Sequence, residues 1–188
     1  GKTTTTAMIS KILLDNDFDP TVIVGSFLKE TESNFVAGKS QYLVVEADEY
    51  KRSFLNLSPK ILVITNIDRD HLDYYKDIYD IQNAFIELVK KIPSDGFLVC
   101  DFLNKNLRPI IESAKCVVFD YSSIENFHFN LKVPGAHNLR NAKAAYVVGG
   151  ILGVSEEKNE KSLENFAGTW RRFELKGEMK NGTIVYDD

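Results

Sequence analysis

The sequence predicts an α/β fold: a mainly parallel sheet with helices on both faces, followed late in the chain by an antiparallel hairpin. Three observations predict it. Strand-like and helix-like segments alternate, the strand-like ones are continuous apolar runs, and an Asn181-Gly182 pair separates two extended segments near the end. Strands buried on both faces are apolar throughout. Alternation with helices implies crossover connections between parallel strands, and Asn-Gly is the turn signal of a tight hairpin.

Taken in order, the first element is a helix from Lys2 to about Leu14, opening in "GKTTTTAMIS". Its four consecutive threonines are poor helix formers, so something other than propensity must keep them there. "TVIVG" (Thr21–Gly25) is a short strand, and "QYLVVEA" (Gln41–Ala47) and "KILVITN" (Lys60–Asn66) read as buried strands rich in β-branched residues. "DIYDIQNAFIELVKKI" sets Ile78, Ile81, Phe85, Leu88 and Val89 at helical spacing until Pro93 and Gly96 stop it. "FLVCD" and "CVVFD" are strands bracketing a helical stretch near Asn104–Ala114. "HNLRNAKAAYVVGGILGV" is a helix with small residues suited to close packing, and "SEEKNEKSLENFAG" starts another with Ser155 as its N-cap. "RRFELKGEMKNGTIVYDD" supplies the hairpin. No repeat, low-complexity tract or linker interrupts the pattern, so one α/β domain over residues 1–188 is expected.

The 188 residues are 44% hydrophobic and 27% charged, an ordinary globular composition able to bury a core. A formal charge of −4 gives no basic field and argues against nucleic acid as the main partner. A polyphosphate would have to be met by local positive groups, a helix N-terminus and a metal ion. The longest apolar runs are too short to span a bilayer, so no membrane partner is expected, and no signal-peptide pattern is visible. Cys100 and Cys116 lack metal-site spacing and each lies in an apolar run, which favours buried, inert thiols of a reducing cytoplasm over a disulfide.

Ligands of such sheets sit beyond the carboxyl ends of the strands, and the polar residues there are the candidates. "GKTTTT" matches the end of a phosphate-binding loop, G-x-x-x-x-G-K-[ST]. In that loop backbone N–H groups and the helix N-terminus face the anion, the lysine reaches the β/γ-phosphates and the hydroxyl binds Mg²⁺. Lys2 and Thr3 would hold those roles. The tripeptide alone also arises by chance; its place at a helix start ahead of several strands is what strengthens it.

In "LVVEADEYKRSF", Glu46 directly follows a strand and is the candidate metal ligand, with Asp48 and Glu49 making the mouth acidic. A solvated turn is the alternative when Glu46 is taken alone. "VITNIDRDHLDYY" places His71 between Asp70 and Asp73; imidazole and carboxylate together can hold a divalent ion, although Mg²⁺ prefers oxygen. For Asp70 and Asp73, capping of the next helix is the preferred reading. In "VPGAHNLRNAKAA", Asn138 is either a helix cap or an amide that pairs with an adenine edge. In "TWRRFELKGE", Arg171 and Arg172 are a surface pair, or one of them steadies a transferring phosphoryl group; Trp170 is read as packing.

In this order, "GKTTTT", "VVEADE", "SFLNLSP", "TNIDRDHLDYY", "PGAHNLRNAKAA", "RRFELKGE" and "VYDD" resemble the central ATPase domain of the Mur ligases, over nearly the whole chain. The resemblance is greatest to the branch that adds L-alanine to UDP-N-acetylmuramate in peptidoglycan synthesis. A branch that recycles murein tripeptide also carries "EADEY". The resemblance implies a cytoplasmic ligase that uses ATP and Mg²⁺ to convert a carboxylate to an acyl phosphate, which an amine then attacks.

Carried over by motif position, Gly1, Lys2, Thr3 and Thr4 meet the phosphates, and Thr3 and Glu46 bind the first Mg²⁺. His71 stands at the second metal, His137 and Asn138 at adenine with Asn141 assisting, Arg172 near the γ-phosphate and Asp188 at the ribose. Lys2, His71 and Arg172 would be catalytic. Several Mur ligases carry a carbamylated lysine about fifteen residues past the histidine; "NAFIE" here offers none, which fits the alanine-adding branch. The front of the loop is absent, as are the family's UDP-binding N-terminal and amino-acid-binding C-terminal domains, so residues 1–188 alone are expected to bind ATP weakly and ligate nothing. A GTPase would need D-x-x-G and N-K-x-D motifs, which do not occur. A small-molecule kinase and a nucleotide-binding module without activity are the remaining alternatives.

Overall fold

The computed structural model describes residues 1–69, 71–125, 130–172 and 174–187. Contacts divide the chain into two compact units, Gly1–Glu46 with His128–Asp188, and Ala47–Phe127.

The first unit opens with α1 (Lys2–Asp15), which packs on α4 (Ala136–Ile151), α5 (Glu156–Glu164) and β1 (Thr21–Leu28). Burial answers the question posed by the threonines: Thr3 to Thr6 are all buried along with Ala7, Met8, Ile9, Ile12 and Leu13. Tertiary packing outweighs their weak propensity. β1 pairs antiparallel with β2 (Ser33–Val36) and parallel with β3 (Leu43–Val45). The strand β1 runs three residues beyond the predicted Gly25, and "QYLVVEA" contributes only its centre to β3. β2 was not foreseen. Along β1, Val22, Val24 and Leu28 face the core while Ile23 and Phe27 are exposed. α4, which packs on α1, buries Ala142, Ala144, Ala145 and Val148, side chains small enough for close approach. Ser155 occupies the N-cap of α5 as predicted, although its side chain makes no capping bond. The hairpin of β7 (Glu174–Glu178) and β8 (Ile184–Asp187) closes where expected, with Met179 N donating to Thr183 O and Gly182 at φ 82°.

The second unit is a parallel three-stranded sheet, β4 (Ile61–Ile64), β5 (Phe97–Cys100) and β6 (Val117–Asp120), with β5 central. Leu98, Val99 and Cys100 of β5 are fully buried, which is why this run reads as continuously apolar. α2 (Ile78–Val89) buries Ile81, Ala84, Leu88 and Val89 and packs against α3 (Arg108–Ser113) and a 3₁₀ segment, Tyr50–Asn56. Asp77 caps α2 by accepting from Asp80 N at 2.9 Å, so Asp73 does not have the capping role predicted for it, and Asp70 lies outside the described residues. Cys100 is buried as expected; Cys116 is only half-buried, since it precedes β6, an edge strand.

Candidate functional site

In the first unit, α1 begins directly after Gly1, which places Lys2 in the first turn with its side chain exposed. Thr3 follows, buried, and its Oγ1 donates to Glu46 Oε1 at 2.7 Å. Glu46 stands one residue past β3 and is kept in line with β1 by its own N–H, which donates to Ile23 O at 2.9 Å. Its second oxygen, Oε2, accepts from Gly25 N at 2.6 Å. A Cβ at residue 25 would stand 2.7 Å from that oxygen and displace the carboxylate from this contact. A hydroxyl and a carboxylate, both hard oxygen donors, thus meet at a helix N-terminus, whose free N–H groups favour anions.

That set fits Mg²⁺ with a polyphosphate better than a metal held by protein alone. Among the described residues, no group of three or more His, Cys, Asp or Glu could hold an ion. Mg²⁺ characteristically takes one or two carboxylates and completes its shell with phosphate oxygens and water.

The same unit brings Arg172 to the end of β1. Arg172, Arg171 and Trp170 line a cavity of about 220 Å³ with Gly25, Ser26, Phe27 and Asn34. The segment is tied down by Ser26 Oγ donating to Trp170 O at 2.5 Å, Trp170 N donating to Phe27 O at 3.1 Å, and stacked Phe27 and Trp170 rings 5.4 Å apart. Trp170 therefore packs, as read from the sequence, but on a ring at the surface; it is 44% exposed. Arg171 lies over the Trp170 ring at 4.9 Å and 3.7 Å from Asp187 Oδ2. Of the two arginines, Arg172 borders the cavity without either of these ties.

At the start of α4 the N-cap is Gly135, at φ 101°, and not Asn138. Asn138 sits inside the first turn, 3% exposed; its Nδ2 donates to Pro134 O at 2.8 Å and its Oδ1 accepts from Asn141 Nδ2 at 3.2 Å. The capping alternative is thereby removed. The two amides order one another, and His137, exposed, lays its ring close over Gly135. Asp188 lies outside the described residues.

His71 belongs to the second unit. It occupies the left-handed region at φ 53°, its Nε2 lies 3.6 Å from Glu49 Oε1 and its ring 5.1 Å from that of Tyr50. Tyr50 OH donates to Asp73 Oδ2 at 3.1 Å, and this bond pushes the phenol above its ordinary range. Tyr75 OH donates to Glu49 O at 2.5 Å. Sequence reading had Glu49 only as part of an acidic mouth and gave Gly25, Tyr50 and Tyr75 no role. Their parts depend on contacts between segments far apart in the chain, for which a single sequence carries no signal.

Residues 1–125 match the family model of the Mur ligase middle domain. The chain is 42% identical over 215 aligned positions to a UDP-N-acetylmuramate–L-alanine ligase of Caldicellulosiruptor bescii, covering 100% of this chain and 47% of that protein. It is 43% identical over 214 positions to the enzyme of that name in Clostridium acetobutylicum, covering 100% of this chain and 46% of the relative. The crystal structure of a UDP-N-acetylmuramate–alanine ligase from Thermotoga maritima superposes with a TM-score of 0.84 at 27% identity, covering 100% of this chain and 48% of that one. The chain spans about half the length of the curated relatives it matches.

Proposed function

Because this chain belongs to the Mur ligase family, through its middle domain, we propose that it is the ATP-using part of a ligase that joins L-alanine to UDP-N-acetylmuramate. Identity of 42–43% to two ligases of that name supports the choice of substrates. The observation that carries the chemistry is the carboxylate of Glu46 held between Thr3 Oγ1 and Gly25 N at the head of α1.

A carboxylate acylates amines poorly because oxide is a poor leaving group; transfer of a phosphoryl group to it supplies a good one. The amine then attacks the acyl phosphate, and the tetrahedral adduct releases phosphate to leave the amide. Negative charge grows on the transferring group and then on the carbonyl oxygen, so fixed cations do most of the work. Lys2 is assigned to the terminal phosphates, with the backbone N–H groups of residues 1–4 at the helix head. Arg172, at the rim of the cavity beside the second half of β1, is assigned to the developing charge on the phosphoryl group. Thr3 and Glu46 would hold Mg²⁺, which when bound offsets phosphate charge, and His71 is assigned to a second divalent ion. His137 and Asn138, with Asn141 fixing the Asn138 amide, are assigned to the adenine, and Asp188 to the ribose.

The test supplies ATP, Mg²⁺, UDP-N-acetylmuramate and L-alanine to the polypeptide at the full length of its relatives, and follows phosphate release and product mass. Alanine-dependent release with the mass of the alanyl conjugate is expected, and Glu46→Gln should lower kcat/KM at least a hundredfold, as loss of a fixed electrostatic group at the transition state does. Release only with murein tripeptide would move the protein to the recycling branch. An undiminished Glu46→Gln enzyme would overturn the metal assignment.

A further inference from the structure

We propose that Tyr50 and Asp73 are positioning residues for His71: their hydroxyl–carboxylate bond closes a clasp that aims the imidazole at a divalent cation. The inference rests on the reading of His71 as a cation ligand. It adds residues from two segments to which neither motif nor resemblance gave that part.

His71 is strained. At φ 53° it adopts a backbone conformation that a histidine holds only when its surroundings impose it. Three sets of contacts do so. The His71 carbonyl accepts from both Tyr74 N and Tyr75 N at 2.9 Å, which winds the loop tightly behind it. Two tyrosine hydroxyls then cross between the loop and the 3₁₀ segment in opposite directions. Tyr50 OH reaches Asp73 Oδ2 at 3.1 Å, and Tyr75 OH returns to Glu49 O at 2.5 Å. The imidazole itself is close to both groups, with Nε2 3.6 Å from Glu49 Oε1 and its ring 5.1 Å from that of Tyr50.

The segment that carries Tyr50 is anchored in turn. Asp48 Oδ1 accepts from Tyr50 N at 3.0 Å, and Arg52 NH2 reaches Asp80 Oδ1 of α2 at 2.6 Å. The Tyr75–Glu49 bond also ties the two segments, and it is part-buried, with Tyr75 itself buried. The Tyr50–Asp73 bond is at the surface, where it contributes little to stability, yet it fixes the ring that flanks the imidazole. A contact that adds little to the fold and restricts one side chain is what orientation of a ligand requires. Partners that orient a metal-binding histidine characteristically change metal affinity tenfold or more.

The test uses Mn²⁺ alone as the probe and the line width of the His71 ring protons as the readout. The chain has three histidines, so His71→Gln assigns the signal. Tyr50→Phe keeps the ring and removes the hydroxyl; Asp73→Ala removes the acceptor; Asp73→Asn removes the charge and keeps an acceptor. Tyr50→Phe and Asp73→Ala are each expected to need about tenfold more Mn²⁺ for half-broadening. The double variant should be no worse than either single one, because both break the same bond. Asp73→Asn should stay within about twofold, and thermal midpoints should hold throughout.

Equal broadening in wild type, Tyr50→Phe and Asp73→Ala would overturn the clasp and leave His71 as a ligand. Weakening by Asp73→Asn as severe as by Asp73→Ala would overturn it too, by making charge the cause. If Mn²⁺ fails to broaden wild-type His71, the reading of His71 falls and the clasp with it. Loss of the folded state in both Tyr50→Phe and Asp73→Ala would make the bond a prop of the fold, and would also overturn the proposal.

Discussion

Glu46 uses both oxygens within the chain, one on Thr3 Oγ1 and one on Gly25 N. Its aim therefore depends on the missing side chain at residue 25. Gly25→Ala would set a methyl group 2.7 Å from Oε2 and force the carboxylate aside. On the proposed function, that variant should fold and lose about tenfold in affinity for Mg²⁺ with ATP, measured by calorimetry; unchanged affinity would show that the aim of Glu46 is immaterial. The thiols are also separable. Burial, first among its causes, pushes Cys100 from an ordinary 9.0 up to about 12, and burial likewise pushes the phenol of Tyr75 from 10.0 to about 12. The folded chain keeps both protons at a pH where the unfolded chain has lost them. Unfolding therefore releases protons, and stability falls as pH rises from about 9 toward 12 for Cys100, by up to about 1.4 kcal/mol per unit, and from about 10 toward 12 for Tyr75. Urea midpoints at pH 8 and pH 10.5 should show that fall, and Cys100→Ala should remove part of it. A thiol reagent at pH 8 should label half-buried Cys116 first and Cys100 only on unfolding.

Among elements, α1, α4 and α5 set how precisely the head of α1 is held. Gly149 faces Asn159 of α5; a Cβ there would lie 2.5 Å from its amide, which is already engaged by Nδ2 donating to Tyr146 O at 2.8 Å. Gly149→Ala must break that bond or push the helices apart, and should cost about 1–3 kcal/mol in urea unfolding. A cost below about 0.5 kcal/mol would mean that α5 yields freely. The pattern of small residues that predicts this packing was legible in the sequence, as were α1, α2, the places of the apolar strands and the hairpin, because each carries its own period or turn signal. Burial on both faces holds for β5, whereas Leu43 of β3 and Val117 and Phe119 of β6 are exposed. β2 was not: "SNFV" is four residues, half polar, and becomes a strand only by pairing with β1. The 3₁₀ segment was equally hidden, since Lys51 and Arg52 both adopt positive φ, held by tertiary contacts such as Arg52 with Asp80. For the site, Thr3 and Glu46 were legible as types at a strand end and a helix start. The misassignment of Asp73 as a cap has the same origin as the missed Tyr50: their bond joins residues 23 positions apart.

For the whole molecule, charge decides what a nucleotide needs in order to bind. The chain carries a net charge of −4 and would repel an anionic polyphosphate at long range. In the first unit the proposed site adds Glu46 to that opposition and sets against it Lys2, Arg172 and the N-terminus of α1. Both oxygens of Glu46 accept hydrogen bonds from within the chain, so the carboxylate offers the phosphates no donor and opposes them unless a cation lies between. Two like charges about 4 Å apart oppose one another by about 4 kcal/mol at an effective dielectric constant of 20, more than one lysine returns through solvent. A divalent ion reverses the sign of that contact. ATP affinity should therefore fall at least tenfold when EDTA removes the metal, and Glu46→Gln should bind metal-free ATP more tightly than wild type while binding the Mg²⁺ complex more weakly. The crossing of those two affinities is the decisive outcome. If Glu46→Gln weakens both forms alike, the carboxylate serves to hold α1 and β1 in place, and the cation site at Thr3 and Glu46 is wrong.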